Sequence, residues 1–457
     1  MARFVQCSVA AAIVLLCAGL AHADVMTLDE ALAIVYQTNP QLAAEEAQLR
    51  ATDEEVAKAD AGWRPTISAT GSYGLQYQHE SVGRTLFSFL TPPPGTVPTL
   101  TSQVTLSQPV FTSGRTVAEI SRAKALFRQE HARFVGTEET VFLNAVTAFF
   151  DVIRDAHIYL LQKESVAALQ KQVGATQKEF ALKEVTKTDV AEAQARLAGA
   201  QAALSVAQGN LSASRAAYEQ VIGRRPDVLR APRYPDLPGT QQEALAAALK
   251  LNPSLMAAVA SERAAEYAID DAVGALGPQV SIQGQYLYQK NSATTTYNGN
   301  AHIGAVVAQV TMPIYQGGAE YAQIREQEEL HGQSQLQIFN AERQVRQAIE
   351  STWKIYRAAQ SAIQLNLAQQ RADETAYEGV QKEQRAGTRT VLDVLNAEQE
   401  LVNAKIAVVQ SEHDAYVGAF QILDVMGLLE AKSLGLKVKL YDASERYAEG
   451  DWLGFGD

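Results

Sequence analysis

Two hydrophobic periods alternate along this chain of 457 residues. From Ile67 the odd positions are Ile67, Ala69, Gly71, Tyr73, Leu75 and Tyr77, and the even ones are Thr66, Ser68, Thr70, Ser72, Gly74, Gln76 and Gln78. Period two, with one apolar face and one uncharged polar face, predicts a strand that is wet on one side only. Val280, Ile282, Gly284, Tyr286 and Tyr288 repeat it against Gln279, Ser281, Gln283, Gln285 and Gln289. Loops at 79–98, with Pro92-Pro93-Pro94, and at 291–300, with Asn298-Gly299-Asn300, lead into second strands near 99–111 and 302–314. Hairpins are therefore predicted over 66–111 and 279–314. In the first, Leu100, Val104 and Leu106 alternate with Thr101, Gln103, Thr105 and Ser107. The last strand alternates poorly, because Ile303 and Val307 are apolar too.

Elsewhere the period is helical. Helices are predicted at about 27–38 and 241–250. An Asn-Pro pair then opens a second helix at about 41–61 and 254–274, since proline suits a first helical turn and disfavours helix at the residue before it. Proline-free stretches at 114–178 and 317–384 carry apolar residues at helical spacing, as in Leu336, Phe339, Ile349, Trp353, Tyr356, Ile363 and Leu367, with Ala, Gln, Glu and Arg between them. At 1.5 Å per residue each could reach roughly 100 Å. That predicts long helices packed side by side as in a coiled coil. Shorter partner helices return over about 188–222 and 391–426.

These elements are one unit written twice. EALAIVYQTNPQL (30–42) returns as EALAAALKLNPSL (243–255), an offset of 213 that carries Asn39 to Asn252, Pro65 to Pro278 and Tyr73 to Tyr286. After the first loop the offset is 204, carrying Pro109 to Pro313, Gly114 to Gly318, Gln177-Lys178-Glu179 to Gln381-Lys382-Glu383, Asp189 to Asp393 and Gly223 to Gly427. Such a repeat sets architecture before any other feature. The expected organisation is a leader at 1–23, repeat 1 at 24–223, a proline-rich linker at 224–240, repeat 2 at 241–430 and a tail at 431–457.

Composition then places the chain. Arg3, an apolar run from Val9 to Leu20 and Ala21-His22-Ala23 form a secretory leader with cleavage expected after Ala23. Leu16 stands where a lipoprotein would need a small residue before Cys17. Both cysteines, Cys7 and Cys17, fall in the leader, so the mature chain has no thiol chemistry. No later run of 18 apolar residues is expected to cross a bilayer as a helix. Without Arg3, 38 basic residues face 51 acidic ones, a net charge of −13, which opposes nucleic-acid binding.

Four strands of about membrane length cannot close a sheet, and lipid tolerates no open edge. Closed outer-membrane barrels start at about eight strands, so two or three copies must combine. Tyr73, Tyr77, Tyr286 and Tyr288 on the apolar face suit lipid contact with an aromatic girdle, and the Gln, Thr and Ser face suits a wet lumen.

In this order and in two repeats, LSQPVF (106–111), MPIYQGG (312–318), TDV (188–190) and GTRTVLDVLNAEQELVNAK (387–405) give the chain its resemblance to the TolC family of outer membrane efflux proteins, over roughly residues 27–430. The resemblance implies an α+β membrane protein. A homotrimer would form a 12-stranded transmembrane β-barrel, four strands per chain, continuous with a long α-helical barrel in the periplasm. It implies a periplasmic adaptor and an inner-membrane transporter of the RND or ABC type as partners, in an exit duct for small molecules or type I protein secretion. It also implies a gate where the long helix pairs turn. Asp393 matches the first aspartate of the constricting ring and Asn396 stands where the second is usual. Arg389 matches the arginine that bonds across to the Thr-Asp pair, here Thr188 and Asp189. Gln384 replaces a tyrosine that contacts the same aspartate, and Lys183 replaces a usual glycine.

Other chemistry finds little support. His79, His131, His157, His302, His331 and His413 are scattered, and neither H-E-x-x-H, G-x-S-x-G nor a phosphate loop occurs. No metal, cofactor or enzymatic activity is expected. The competing readings are a soluble periplasmic coiled-coil scaffold or adaptor and an outer-membrane hydrolase.

Overall fold

The computed structural model describes residues 25–78, 95–292 and 298–441. The leader, the loop tips and residues 442–457 of the tail lie outside them. The repeat governs the element order. Helices α1 (Leu28–Thr38) and α2 (Pro40–Asp60) lead through one 3-10 turn (Ala61–Trp63) into strands β2 (Thr66–Gln78) and β3 (Gly95–Phe111). Helices α3 (Arg115–Ala181) and α4 (Lys187–Ile222) complete the first repeat. The second has α5 (Gln241–Leu251), α6 (Pro253–Gly274), β5 (Gln279–Ser292), β6 (Asn298–Thr311), α7 (Ala319–Arg385) and α8 (Val391–Met426). Each long helix has 67 residues and each returning helix 36.

Both Asn-Pro pairs work as expected. Asn39 accepts from the N–H groups of Gln41 and Leu42 at 2.8 and 3.4 Å, and Asn252 from those of Ser254 and Leu255 at 3.1 and 3.2 Å. Each cap satisfies donors that a helix start leaves orphaned, with proline at the first helical position. Asn252 also keeps two apolar helices apart. An 18-residue window within Gln241–Gly274 does reach a mean hydropathy of 1.3. The chain nevertheless leaves helical geometry at Asn252 (ψ 123°), so α5 and α6 are separate helices.

The strands begin earlier than expected, at Gly95 and Asn298 rather than near 99 and 302, and β6 ends at Thr311. The linker holds an element that its composition hid. Within it β4 (Val228–Leu229) pairs in parallel with β1 (Val25–Met26).

Two compact units emerge. One comprises Met1–Ile34, Ala145–Tyr234 and Gln369–Gln410, and the other Val35–Asn144, Pro235–Ala368 and Ser411–Asp457. In the first, α4 buries Ala193, Ala200, Ala207 and Ser214 at seven-residue intervals. Ala193 and Ala200 meet Val166, Leu169 and Val173 of α3 and Val391 and Leu395 of α8. A small side chain every heptad lets long helices lie close and nearly parallel. In the second unit, Ala244 and Ala248 of α5 and Leu255 of α6 pack with Val345, Ile349 and Tyr356 of α7 and Ala419, Ile422 and Met426 of α8. There α3 also catches the chain after α8, because Glu139 and Glu138 accept the N–H groups of Leu429 and Ala431 at 3.1 and 2.6 Å.

The sheet belongs to the second unit. Its order is β2-β3-β5-β6, all antiparallel, so the hairpins join through β3 and β5 while β2 and β6 keep one open edge each. The register puts Ile67 opposite Leu106, Val104 opposite Tyr286 and Ile282 opposite Ala308, all on one face. Ser68, Thr105, Gln283 and Gln285 share the other. The expected faces hold on β2, β3 and most of β5. On β6, Ile303, Ala305 and Val307 occupy the polar face, opposite Leu287, Gln285 and Gln283.

Candidate functional site

The candidate gate residues lie at two turns of the first unit, α3 to α4 and α7 to α8. The turns share a backbone. Lys183 and Glu184 N–H groups bond to the carbonyls of Phe180 and Glu179 at 2.9 and 3.0 Å, and 204 residues on Gly387 and Thr388 bond to those of Gln384 and Glu383 at the same distances. Lys183 (φ 65°) and Gly387 (φ 79°) both take the left-handed conformation that ends a helix.

Both turns restart with the same cap. At Thr186 the backbone N–H and the hydroxyl each donate to Asp189 Oδ2 at 2.7 Å, and Asp189 N–H returns a bond to Thr186 Oγ1 at 3.3 Å. Thr390 and Asp393 repeat these bonds at 2.9, 2.8 and 3.2 Å. This reciprocal pair is a capping box. The signal for it, Thr-x-x-Asp written twice, stands plainly in the sequence, so each aspartate has a capping role beside the gate role that the resemblance implies.

The capping matters for charge. Bonds from the Thr186 hydroxyl and backbone hold Asp189 below the usual carboxylate range. Those from Thr390, with help from the Arg389 charge, do the same for Asp393. Both therefore stay anionic further into acid than an aspartate without such a cap. The bonds that Thr186 and Thr390 donate all go to Oδ2, which leaves Oδ1 of each aspartate outside the cap.

Arg389 is exposed and bonds through Nε to Glu383 Oε2 at 3.1 Å. Among the described residues no hydrogen bond or ion pair joins it to Thr188 or Asp189. Thr188 is exposed on the first turn of α4. Gln384 is half-buried and offers its backbone carbonyl to the turn. Asn396 is exposed one helical turn beyond Asp393, and its Oδ1 accepts from the Arg196 guanidinium of α4 at 2.7 Å. Nothing in the sequence around Arg196 relates it to α8, 200 positions away.

Comparison with known proteins agrees with this fold over nearly the whole chain. The family model described as outer membrane efflux protein matches residues 31–224 and 244–427, the two repeats. The outer membrane efflux protein BepC of Brucella suis is 33% identical over 431 residues, covering 94% of this chain and 91% of its own. The outer membrane protein TolC of Vibrio cholerae is 25% identical over 433 residues, covering 90% and 94%. Among solved structures, the outer membrane protein VceC of Vibrio cholerae superposes with a TM-score of 0.75 at 19% identity, over 88% of this chain and 96% of that one.

Proposed function

This chain belongs to the outer membrane efflux protein family, and on that premise we propose that three copies close their sheets into one 12-stranded barrel above a helical tunnel gated at the α3–α4 and α7–α8 turns. The protein is an outer-membrane efflux channel that extends into the periplasm, and this selects the channel over the scaffold alternative. The trimer, the gate and the partners are the proposal.

One observation carries it. The four-stranded sheet has two open edges and an apolar face on which Ile67, Tyr73 and Tyr286 are 70%, 75% and 51% exposed. An open edge leaves N–H and C=O groups unpaired, which hydrocarbon does not tolerate. Pairing β6 of one copy with β2 of the next removes every edge. Three copies suit a wall built from long helix pairs around a lumen.

At the tunnel end, three Asp393 carboxylates would make a ring of negative charge, with Oδ1 directed away from the cap. Within one chain Arg389 is held by Glu383, so its bonds to Thr188 and Asp189 would run between copies. Gln384 stands beside them without the hydroxyl of a tyrosine, so this closure has fewer bonds. The channel carries no energy source of its own. A periplasmic adaptor and an inner-membrane transporter of the RND or ABC type would drive small molecules or secreted proteins through it.

Native mass of the detergent-purified protein tests the assembly: about three chains per particle are expected, and a stable monomer with intact strand content overturns it. Planar-bilayer recording tests the gate. Arg389→Ser should raise single-channel conductance and Asp393→Ala should lower the cation-to-anion permeability ratio, and no change in either moves the constriction elsewhere.

A further inference from the structure

We propose that Arg196 is a selectivity residue of the tunnel end, setting a cationic layer one helical turn from the Asp393 layer so that anionic and zwitterionic small molecules pass as readily as cations. The inference rests on the gate reading above and adds to it a residue from another helix and a class of cargo.

Position comes first. Asn396 lies three residues beyond Asp393, about 4.5 Å further along the α8 axis. Residues three apart share a helix face. The Arg196 guanidinium meets Asn396 Oδ1 at 2.7 Å, so its charge sits beside whatever Asn396 faces. The core below holds the two helices in this register, since Ala193 and Ala200 of α4 flank Arg196 and pack with Val391 and Leu395 of α8.

Charge comes second. An arginine is permanently cationic. The partner of Arg196 is a neutral amide, and among the described residues no carboxylate lies within ion-pair distance of it. Glu192, one turn before it on α4, makes no such pair. The positive charge is therefore not neutralised locally. Asp393, in contrast, remains an anion because its cap favours the charged form.

The repeat shows that this is peculiar to one helix pair. The offset of 204 carries Glu192 to Asn396 and Arg196 to Glu400. The two helices thus hold opposite signs at equivalent positions, and the amide replaces a carboxylate where the arginine arrives. An aspartate at 396 would pair with Arg196 and cancel it. The asparagine holds the guanidinium by one hydrogen bond and leaves its charge in play.

The consequence is a balanced constriction. Each copy contributes one anion at Asp393 and one cation at Arg196. A ring of a single sign admits counter-ions and repels co-ions. Two layers of opposite sign about 4.5 Å apart select weakly between small ions, yet they fit a solute that carries both charges. A unit charge at contact distance in water changes the local concentration of a passing ion by about fivefold, which sets the expected scale.

The test is reversal potential in a KCl gradient across planar bilayers, with Asp393→Ala as the control for the gate reading. Wild type should be close to unselective. Arg196→Gln should raise the cation-to-anion permeability ratio by about fivefold, and Asn396→Asp should raise it as well. Arg196→Lys keeps the charge and should keep the wild-type ratio. If Asp393→Ala shifts selectivity while Arg196→Gln does not, the gate reading stands and this inference fails. If Arg196→Lys shifts it as far as Arg196→Gln, the residue acts by holding α8 in place and not by its charge, which also overturns the proposal. If Asp393→Ala and Arg196→Gln are both silent, the constriction is elsewhere and both readings fall.

Discussion

The turn from α3 to α4 and the turn from α7 to α8 have one backbone and different side chains. Both close with the same bonds and restart on a Thr-Asp capping box, Thr186 with Asp189 and Thr390 with Asp393. At the functional positions they diverge. The second turn has Arg389 where the first has Val185, and Asn396 where the first has Glu192. The frame has been kept because a helix pair must turn in five residues, and few sequences do that. The charges have been redistributed because nothing in the turn needs them. A motif preserved between repeats is therefore evidence of folding, and a difference between them is where a function specific to this channel is found.

The same contrast appears in the sheet, where the largest effects are expected. Offset by 204, Thr99, Thr101 and Gln103 of β3 correspond to Ile303, Ala305 and Val307 of β6. The register assigns both sets to the face opposite Tyr286 and Ile282. If that face lines water, Val307→Arg should be tolerated as well as Gln103→Arg. Val306→Arg, on the lipid face, should cost about 2–4 kcal/mol at mid-bilayer and keep the protein out of the outer-membrane fraction. Equal loss of Val306→Arg and Val307→Arg from that fraction would mean that β6 is buried on both faces and that its repeat equivalence with β3 ends at the backbone.

Pattern and chemistry differed in how far the sequence revealed them. Every helix was legible to within a few residues, since Asn39 and Asn252 announce starts and Gly223 and Gly427 announce ends. Strand ends were harder. Gly95 and Asn298 read as loop residues because glycine and asparagine favour turns, yet pairing across the hairpins recruits them. β1 and β4 were invisible, since two residues each show no period. The gate positions came through a motif, and their local role did not. The cap of Asp393 could be read from Thr-x-x-Asp. The bond from Arg196 to Asn396 could not, because it joins helices from different repeats and depends on how Ala193 and Ala200 set the register.

A second difference between the repeats is titratable. Glu138 and Glu139 of α3 correspond to Glu342 and Arg343 of α7, which are half-buried and exposed. Only the first pair is buried beneath the chain that follows α8. Burial raises Glu138 to about 7. Burial, with the nearby Asp424 carboxylate, raises Glu139 to about 9. A carboxyl that holds its proton in the folded state beyond its ordinary value near 4.5 stabilises the fold at low pH, and that contribution is lost as pH rises through the folded value. Stability should therefore fall between about pH 5 and 9, by at most about 1.4 kcal/mol per pH unit for each group. The double variant Glu138→Gln, Glu139→Gln should flatten the dependence of Tm on pH in that window. A slope equal to wild type would place the titration in other groups, with Asp424, raised by burial to about 6, the next to replace.

The smallest expected effect is also the sharpest test of the comparison. Ser113 and Lys183 are the non-glycine residues at positive φ among the described residues, at 52° and 65°, and the offset carries them to Gly317 and Gly387. Repeat 1 accepts at both points a conformation that costs an L-residue about 1–2 kcal/mol. At Ser113 there is an offset, because its hydroxyl donates to the Pro278 carbonyl at 2.6 Å. Such a bond contributes about 1 kcal/mol. Lys183 is exposed and, among the described residues, makes only the backbone bonds of its turn. Replacing either residue with glycine relieves the strain and loosens the unfolded chain, which costs about 0.5–1 kcal/mol. Ser113→Gly loses its hydrogen bond as well, so it should leave Tm unchanged or lower it. Lys183→Gly has nothing further to lose and should raise Tm by about 2 °C or less. A fall in Tm for Lys183→Gly would mean that the lysine is held by a contact formed only between copies. The α3–α4 turn would then be a site of assembly, and the likeness of the two turns would stop at their hydrogen bonds.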